Sequence, residues 1–381
     1  MTRRGSAQDG CLLISAGSYR CGETIRNLIV VSMQCSSVNR RIALGFVLAL
    51  LLLGVLIRVV GGQAVAGEFS SADYRFLGLA VGSGLLALTF RALVWEQFLS
   101  LVDDTLPRIR IVALFLSAMF LKYITPYGQL ATEPFVAYLV SQHGEMAFED
   151  GLAGVLSADL LNYVPYYTYG FVALGVIVVT GALGTDLSLQ LLAFTGLFSV
   201  VVGVVFVTIR RPSVVYGLVL WVTAGLRCVL CRFSTRFEDR FAKQTVRSRL
   251  DGFYGTIDTI SADRMALVAA IVFAHLGMLF LMLPVYLGAL ALGYRLALPI
   301  VALAVAFGKL GAVVPAPGGT GGVETMVTGV LATLGGLELA TALTVALIYR
   351  LSTYWLTVGI GGLSAAAMFL RGPQPEANPD S

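Results

Sequence analysis

Apolar residues fall in long unbroken blocks along this chain, not at alternating or every-third positions. The first two blocks, Ile42–Val60 and Phe76–Trp95, are each of a length to cross about 30 Å of hydrocarbon as a helix. The next is Ile111–Ile124, which as a helix reaches only about 21 Å. It stops at Thr125-Pro126-Tyr127-Gly128 and a short apolar block, Pro134–Val140, follows. Two half-length helices around a Pro/Gly break predict a re-entrant hairpin, because broken backbone survives at membrane depth only where protein or a wet cavity satisfies it. Gly151–Ala182, with Pro165 inside, then predicts a long kinked or tilted span of 32 residues, and Gln190–Ile209 an ordinary one. Met265–Leu292 crosses again. Ala297–Val314, the Pro315–Gly322 break and Val323–Leu334 form a second hairpin, and Glu338–Phe369 a second span of 32 residues.

Inside this pattern the two breaks match. Pro126 to Glu133 and Pro317 to Glu324 both read P-x-G-x-x-x-x-E. Each glutamate is followed 26 residues later by an ionisable residue inside a long span, Asp159 after Glu133 and Arg350 after Glu324. An internal duplication accounts for the shared motif, offset and span length. Counting crossings from a cytoplasmic amino terminus makes the first hairpin dip from the cytoplasm and the second from outside, so the repeats are inverted. Broken helices in inverted repeats place a transport site at the repeat interface near midplane. One observation cuts against this count: Tyr163, Tyr166, Tyr167 and Tyr169 cluster midway along Gly151–Ala182, where an interfacial aromatic belt would imply two short segments.

Composition agrees with the pattern. Of 381 residues, 57% are hydrophobic and 13% charged, against about 25% charged in soluble domains. That excludes a cytosolic enzyme, a disulfide-rich module and a disordered chain. The expected class is an all-α polytopic integral membrane protein of about six full spans plus the two re-entrant hairpins. Residues 1–41 read as a basic tail, with Met33 a candidate start, and 371–381 as a Pro-rich tail. Between Arg210 and Arg264 lie ten basic and five acidic residues. The positive-inside rule makes that segment, and hence both termini, cytoplasmic in the plasma membrane. Within it Ser213–Cys231 reads as a helix lying on the cytoplasmic face.

Charged residues within the apolar blocks carry the candidate chemistry. A half-helix amino terminus in a glycine-rich break attracts an anion such as a lipid phosphate, which makes Gly318, Gly319 and Gly321 candidate ligands. Glu133 and Glu324 sit in the first turns of those half-helices, as binding residues or as caps. Asp159 and Arg350 mark a pathway or a salt bridge across the repeats. Lys122 and Lys309 draw in a phosphate or snorkel, and for Arg58 and Arg91 snorkelling suffices. The tyrosine cluster reads as packing rather than as a lipid platform. His143 and His275 each stand alone and read as packing or interface residues rather than catalysts. Cys228-x-x-Cys231 lacks the second pair a zinc site needs. Gly318–Gly322 is no P-loop, since no Lys-Ser/Thr follows. No metal, cofactor or nucleic-acid partner is expected.

The segments Thr125-Pro126-Tyr127-Gly128…Glu133-Pro134 and Pro315–Glu324, followed by Tyr349-Arg350-Leu351, resemble the transmembrane region of the lysylphosphatidylglycerol synthase family, a flippase-like domain family. The resemblance covers about 41–370 and implies a flippase-like transmembrane domain over 42–370, without the soluble aminoacyl-transfer domain of the synthases. Glu133, Glu324 and Arg350 match the family pattern. Ala158-Asp159-Leu160-Leu161-Asn162 departs from it, because the first repeat of the family carries an E-R-x-x-D-like stretch there. The expected function is translocation of an anionic phospholipid or lipid-linked intermediate between leaflets, by a transporter and not an enzyme. Two alternatives stand beside it. One is a non-transporting subunit that supports a lipid- or glycan-synthesising enzyme, and the other a lipid-modifying enzyme with Glu133 or Glu324 as base.

Overall fold

The computed structural model describes residues 51, 54–126, 128, 132–144, 146–180 and 243–371, with scattered helical positions between 195 and 220. The chain divides into two compact units, Met1–Leu44 and Gly45–Ser381, and every described residue belongs to the second. The expected spans Ile42–Val60 and Gln190–Ile209, the surface helix Ser213–Cys231, both tails and all five cysteines lie wholly or largely outside the described residues.

Among the described residues every regular element is helical. In chain order they are α1 (Gly62–Ser71), α2 (Tyr74–Val102), α3 (Arg108–Ile124), α4 (Glu133–His143), α5 (Phe148–Val179), α6 (Lys243–Ala262), α7 (Arg264–Ala291), α8 (Leu298–Gly311), α9 (Gly322–Thr333), α10 (Leu339–Arg350) and α11 (Leu356–Arg371). A π-helical turn, Leu351–Trp355, joins α10 to α11 without a break. Among the described residues four helical stretches are long and apolar enough to cross a membrane: Tyr74–Val102, Phe148–Val179, Arg264–Ala291 and Leu339–Met368.

Local chemistry sets the ends of these helices. Asp73 starts α2 by accepting from the Arg75 amide at 2.9 Å, and Asp263 starts α7 by accepting from the Met265 and Ala266 amides. Both satisfy orphan donors of a first turn. Pro134 and Pro299 stand in the first turns of α4 and α8, where a missing N–H costs nothing.

Several boundaries differ from the expectation, three of them with a visible cause. α2 runs through Glu96 and Gln97 to Val102, seven residues past the expected end at Trp95. Buried Phe98 and Leu99 carry it on, and Glu96 is held at the surface side by Arg108 at 2.9 Å. α4 extends to His143, whose ring nitrogen Nδ1 lies 2.8 Å from the Leu139 carbonyl. α5 starts at Phe148 and is one uninterrupted helix through Pro165. The tyrosines therefore mark no pair of short segments: Tyr166 faces the core, and Tyr169 reaches the His275 carbonyl on α7.

Two apolar cores form, one around each break. The first gathers Trp95, Phe98, Leu114, Phe115, Val136 and Val155 from α2 to α5. The second gathers Tyr166, Val285, Phe307, Val327, Leu331 and Tyr349 from α5 and α7 to α10. The pairing of elements is reciprocal. α4 packs on α5 as α9 packs on α10, α3 packs on α11 as α8 packs on α5, and α2 and α7 pack along each other. Each half thus lays its long helix against the first short helix of the other. Small residues permit the closest approaches, as membrane helices require. A Cβ on Gly311 would stand 2.3 Å from the Gly322 carbonyl oxygen, so α8 and α9 touch backbone to backbone. Large apolar side chains stay exposed on the outer faces, among them Val172, Val179, Met265, Val268 and Leu363.

Candidate functional site

Each half builds one cluster of buried charge at its break. In the first, Lys122 occupies the last turn of α3 and is 2% exposed. Its ammonium donates to Glu133 Oε1 at 2.9 Å and to Asp159 Oδ2. Glu133 opens α4, just past the break, and Asp159 comes from the middle of α5. Asp159 Oδ1 accepts from the Trp95 indole N–H at 2.9 Å, and that indole packs edge-on against Phe115. The ammonium also lies 5.6 Å from the Trp95 ring centre.

In the second half, Arg350 closes α10 and donates through Nε to Glu324 Oε1 at 2.8 Å. Its terminal nitrogen reaches the Gly318 carbonyl at 3.0 Å and Thr320 Oγ1 at 3.1 Å. The guanidinium lies 4.0 Å from the centre of the Tyr354 ring. The other oxygen of Glu324 accepts from the Gly321 amide at 2.7 Å. Gly321 can stand there because its φ of 87° is open to glycine and strained for an L side chain. Glu324 is therefore a cap and an ion-pair partner at once. A π turn, Leu351–Trp355, follows Arg350 directly.

The clusters meet at a cavity of about 50 Å³, room for a few waters by the usual threshold of about 10–15 Å³ each. Arg91, Lys122, Lys309 and Arg350 line it, with Tyr123, Tyr163, Tyr166 and Tyr349 between them. Lys309 lies over the Tyr163 ring at 4.1 Å and the Tyr166 ring at 5.4 Å. Arg91 is 7% exposed. Among the described residues no carboxylate pairs with it, and its Nε has no hydrogen-bond partner. One terminal nitrogen lies 4.0 Å from the Met119 sulfur, and the Tyr123 side chain stands beside the guanidinium. Four cations thus surround the cavity and three carboxylates stand behind them. Burial makes the pairing of these charges matter, because an uncompensated ion in such a place is costly.

The structure brings Glu133 to Asp159 and Glu324 to Arg350, each within its own half. The salt bridge between Asp159 and Arg350, one of the two alternatives for that pair, is not formed, because Lys122 supplies the counter-charge that Asp159 needs. Gly318 turns its carbonyl to Arg350 and lines the cavity. The Gly319 and Gly321 amides are engaged by the Ala316 carbonyl and the Glu324 carboxylate. In this arrangement it is the cationic side chains that face the cavity. Neither Lys122 nor Arg91 snorkels; both are buried at the centre. Sequence reasoning ended α2 at Trp95 and so put Arg91 near a helix end. The missed signal was Arg91-x-x-x-Trp95, two side chains one turn apart on a face of small residues, Ala80, Ser83, Gly84 and Ala87. His275 packs between α7 and α5, with Nε2 3.3 Å from the Thr168 hydroxyl.

Residues 42–361 match the profile described as the lysylphosphatidylglycerol synthase TM region. The chain belongs to this family. It is a membrane protein, and its charged clusters lie within the family's matched region. A UPF0104 membrane protein of Methanothermobacter thermautotrophicus is 24% identical over 321 residues, covering 84% of this chain and 93% of the relative. A second match to a UPF0104 membrane protein of that organism is 31% identical over 147 residues, 36% of this chain and 41% of the relative. No solved structure matches.

Proposed function

We propose that this member of the family moves an anionic phospholipid, or a lipid-linked intermediate carrying a phosphate, between membrane leaflets. The observation that carries the reading is the buried guanidinium of Arg91, which faces the cavity without a carboxylate partner beside three further cations. A guanidinium matches phosphate in charge and in fork geometry. Tyrosine hydroxyls around the rim supply neutral donors for the remaining oxygens. Glu133, Asp159 and Glu324 hold Lys122 and Arg350 in place while the cavity is empty.

The reciprocal packing of the halves supports a duplicated transporter in which Arg108–His143 and Leu298–Thr333 are re-entrant hairpins in inverted orientation. With six spans, the net positive Arg210–Arg264 segment and both termini face the cytoplasm of a plasma-membrane protein. Transport tests the reading. Purified protein in vesicles carrying a fluorescent phosphatidylglycerol or phosphatidylcholine is assayed by quenching the outer leaflet. The wild type accelerates the anionic probe, and Glu324→Gln and Arg350→Ala slow it by about tenfold or more, the factor that 1.4 kcal/mol brings. Equal movement in empty, wild-type and variant vesicles contradicts it.

A further inference from the structure

The two charge clusters are not equivalent. Glu324 and Arg350 balance one to one, and both carboxylate oxygens of Glu324 have donors. In the first half a single ammonium serves two carboxylates, so Lys122, Glu133 and Asp159 carry one formal negative charge when all are ionised. All three are more than nine-tenths buried. Three of the four carboxylate oxygens accept hydrogen bonds, from Lys122 or from Trp95. The fourth, Glu133 Oε2, is buried and has no partner among the described residues. The second half meets its buried arginine with a single carboxylate.

Resting on the anion-cavity reading above, we propose that the Lys122–Glu133–Asp159 triad is a proton-binding site, with Glu133 as the acceptor, linked to occupancy of the cavity. A hydronium ion gives up one proton and leaves as water. One O–H bond forms at Glu133 Oε2, no bond of the protein breaks, and the triad passes from one negative charge to none. Lys122 provides the linkage, since it belongs to the triad and also lines the cavity. With Glu133 neutral, the ammonium is released from one of its two carboxylates and turns its field on an anion in the cavity. An anion there repels the ionised carboxylate and favours its protonation. The coupling is reciprocal: each ligand tightens the other by the same factor. An anionic headgroup and a proton then share the site as a neutral pair, which lowers the cost of carrying the charge through the membrane.

The groups around Glu133 are Lys122 from α3 and Asp159 and Tyr163 from α5. Trp95 of α2 donates to Asp159, and on the cavity side lie Arg91 of α2 and Lys309 of α8. None of these is a second acid able to offer the same open oxygen.

The test is the binding of a short-chain phosphatidylglycerol to the full chain in phosphatidylcholine nanodiscs, measured across pH. Wild-type affinity rises as pH falls, by up to about tenfold per pH unit, the limit for one linked proton. Glu133→Gln binds at the acid-limit affinity of the wild type at every pH. A companion measurement needs no variant: in weakly buffered solution the wild type takes up as much as one proton per lipid bound, and none on addition of short-chain phosphatidylcholine. Wild-type binding without pH dependence or proton uptake overturns the proton site and leaves the anion cavity standing. A Glu133→Gln variant that keeps the wild-type pH dependence overturns the proton site in the same way. Absence of phosphatidylglycerol binding at any pH overturns the cavity and the proton site together.

Discussion

Lys122 and Arg91 occupy neighbouring places in the cavity wall under opposite electrostatic conditions, and substitution should separate them. Lys122→Met strands two buried carboxylates, a loss of about 3–5 kcal/mol by the usual cost of breaking a buried pair. Protonation relieves that repulsion. The folded variant then binds more protons than its unfolded chain, so its stability falls as pH rises and recovers on acidification. Thermal unfolding at several pH values checks this, and the further change Asp159→Asn should restore more than half of the loss at neutral pH. Arg91→Met removes a buried charge that has no carboxylate partner, so its unfolding temperature stays level or rises. Unfolding of Arg91→Met well below the wild type would mean that the guanidinium is structural. At this scale Glu324 and Arg350 were legible in the chain because motif and offset repeat. Arg91 was not, since burial depends on where α2 ends and what covers it.

Helices were legible where apolar length alone decides, and their breaks were legible because proline and glycine interrupt hydrogen-bonded backbone. Pro165 shows the limit. It sits inside α5 without dividing it, since flanking helices hold both arms of the span. The π turn after Arg350 left no mark in the apolar pattern, because Leu351–Trp355 reads as ordinary helix. The contact of α8 with α9 is the element-scale feature most open to test. Gly311→Val places branched carbon against the Gly322 carbonyl and costs about 1–3 kcal/mol as overpacking. Gly329→Ala, on open helix surface, should leave unfolding unchanged. Equal melting temperatures for the two variants would show that the hairpin is not held by this contact.

Across the whole molecule, the motif repeated in sequence becomes a repeated pattern of packing, with α5 and α10–α11 exchanged between halves. The choice of partners within the site was not legible. An offset of 26 residues placed Asp159 and Arg350 in equivalent positions, yet each found its counter-charge at home, because a lysine one helix away was closer than the other repeat. Orientation can be tested separately from transport. With the native cysteines replaced, Asp258→Cys on the exposed face of α6 should react with a membrane-impermeant maleimide in inside-out vesicles and stay silent in right-side-out ones. The reverse result would invert the topology.

At every scale the proposed function turns on Arg91, a buried guanidinium in the cavity wall. Its most direct test is the initial rate at which a fluorescent phosphatidylglycerol crosses vesicles containing wild-type protein or Arg91→Gln, normalised to folded protein. The variant should lose about tenfold or more, in keeping with one charge-assisted hydrogen bond worth about 1.5–3 kcal/mol. Equal rates for the two proteins would mean that Arg91 does not hold the lipid phosphate.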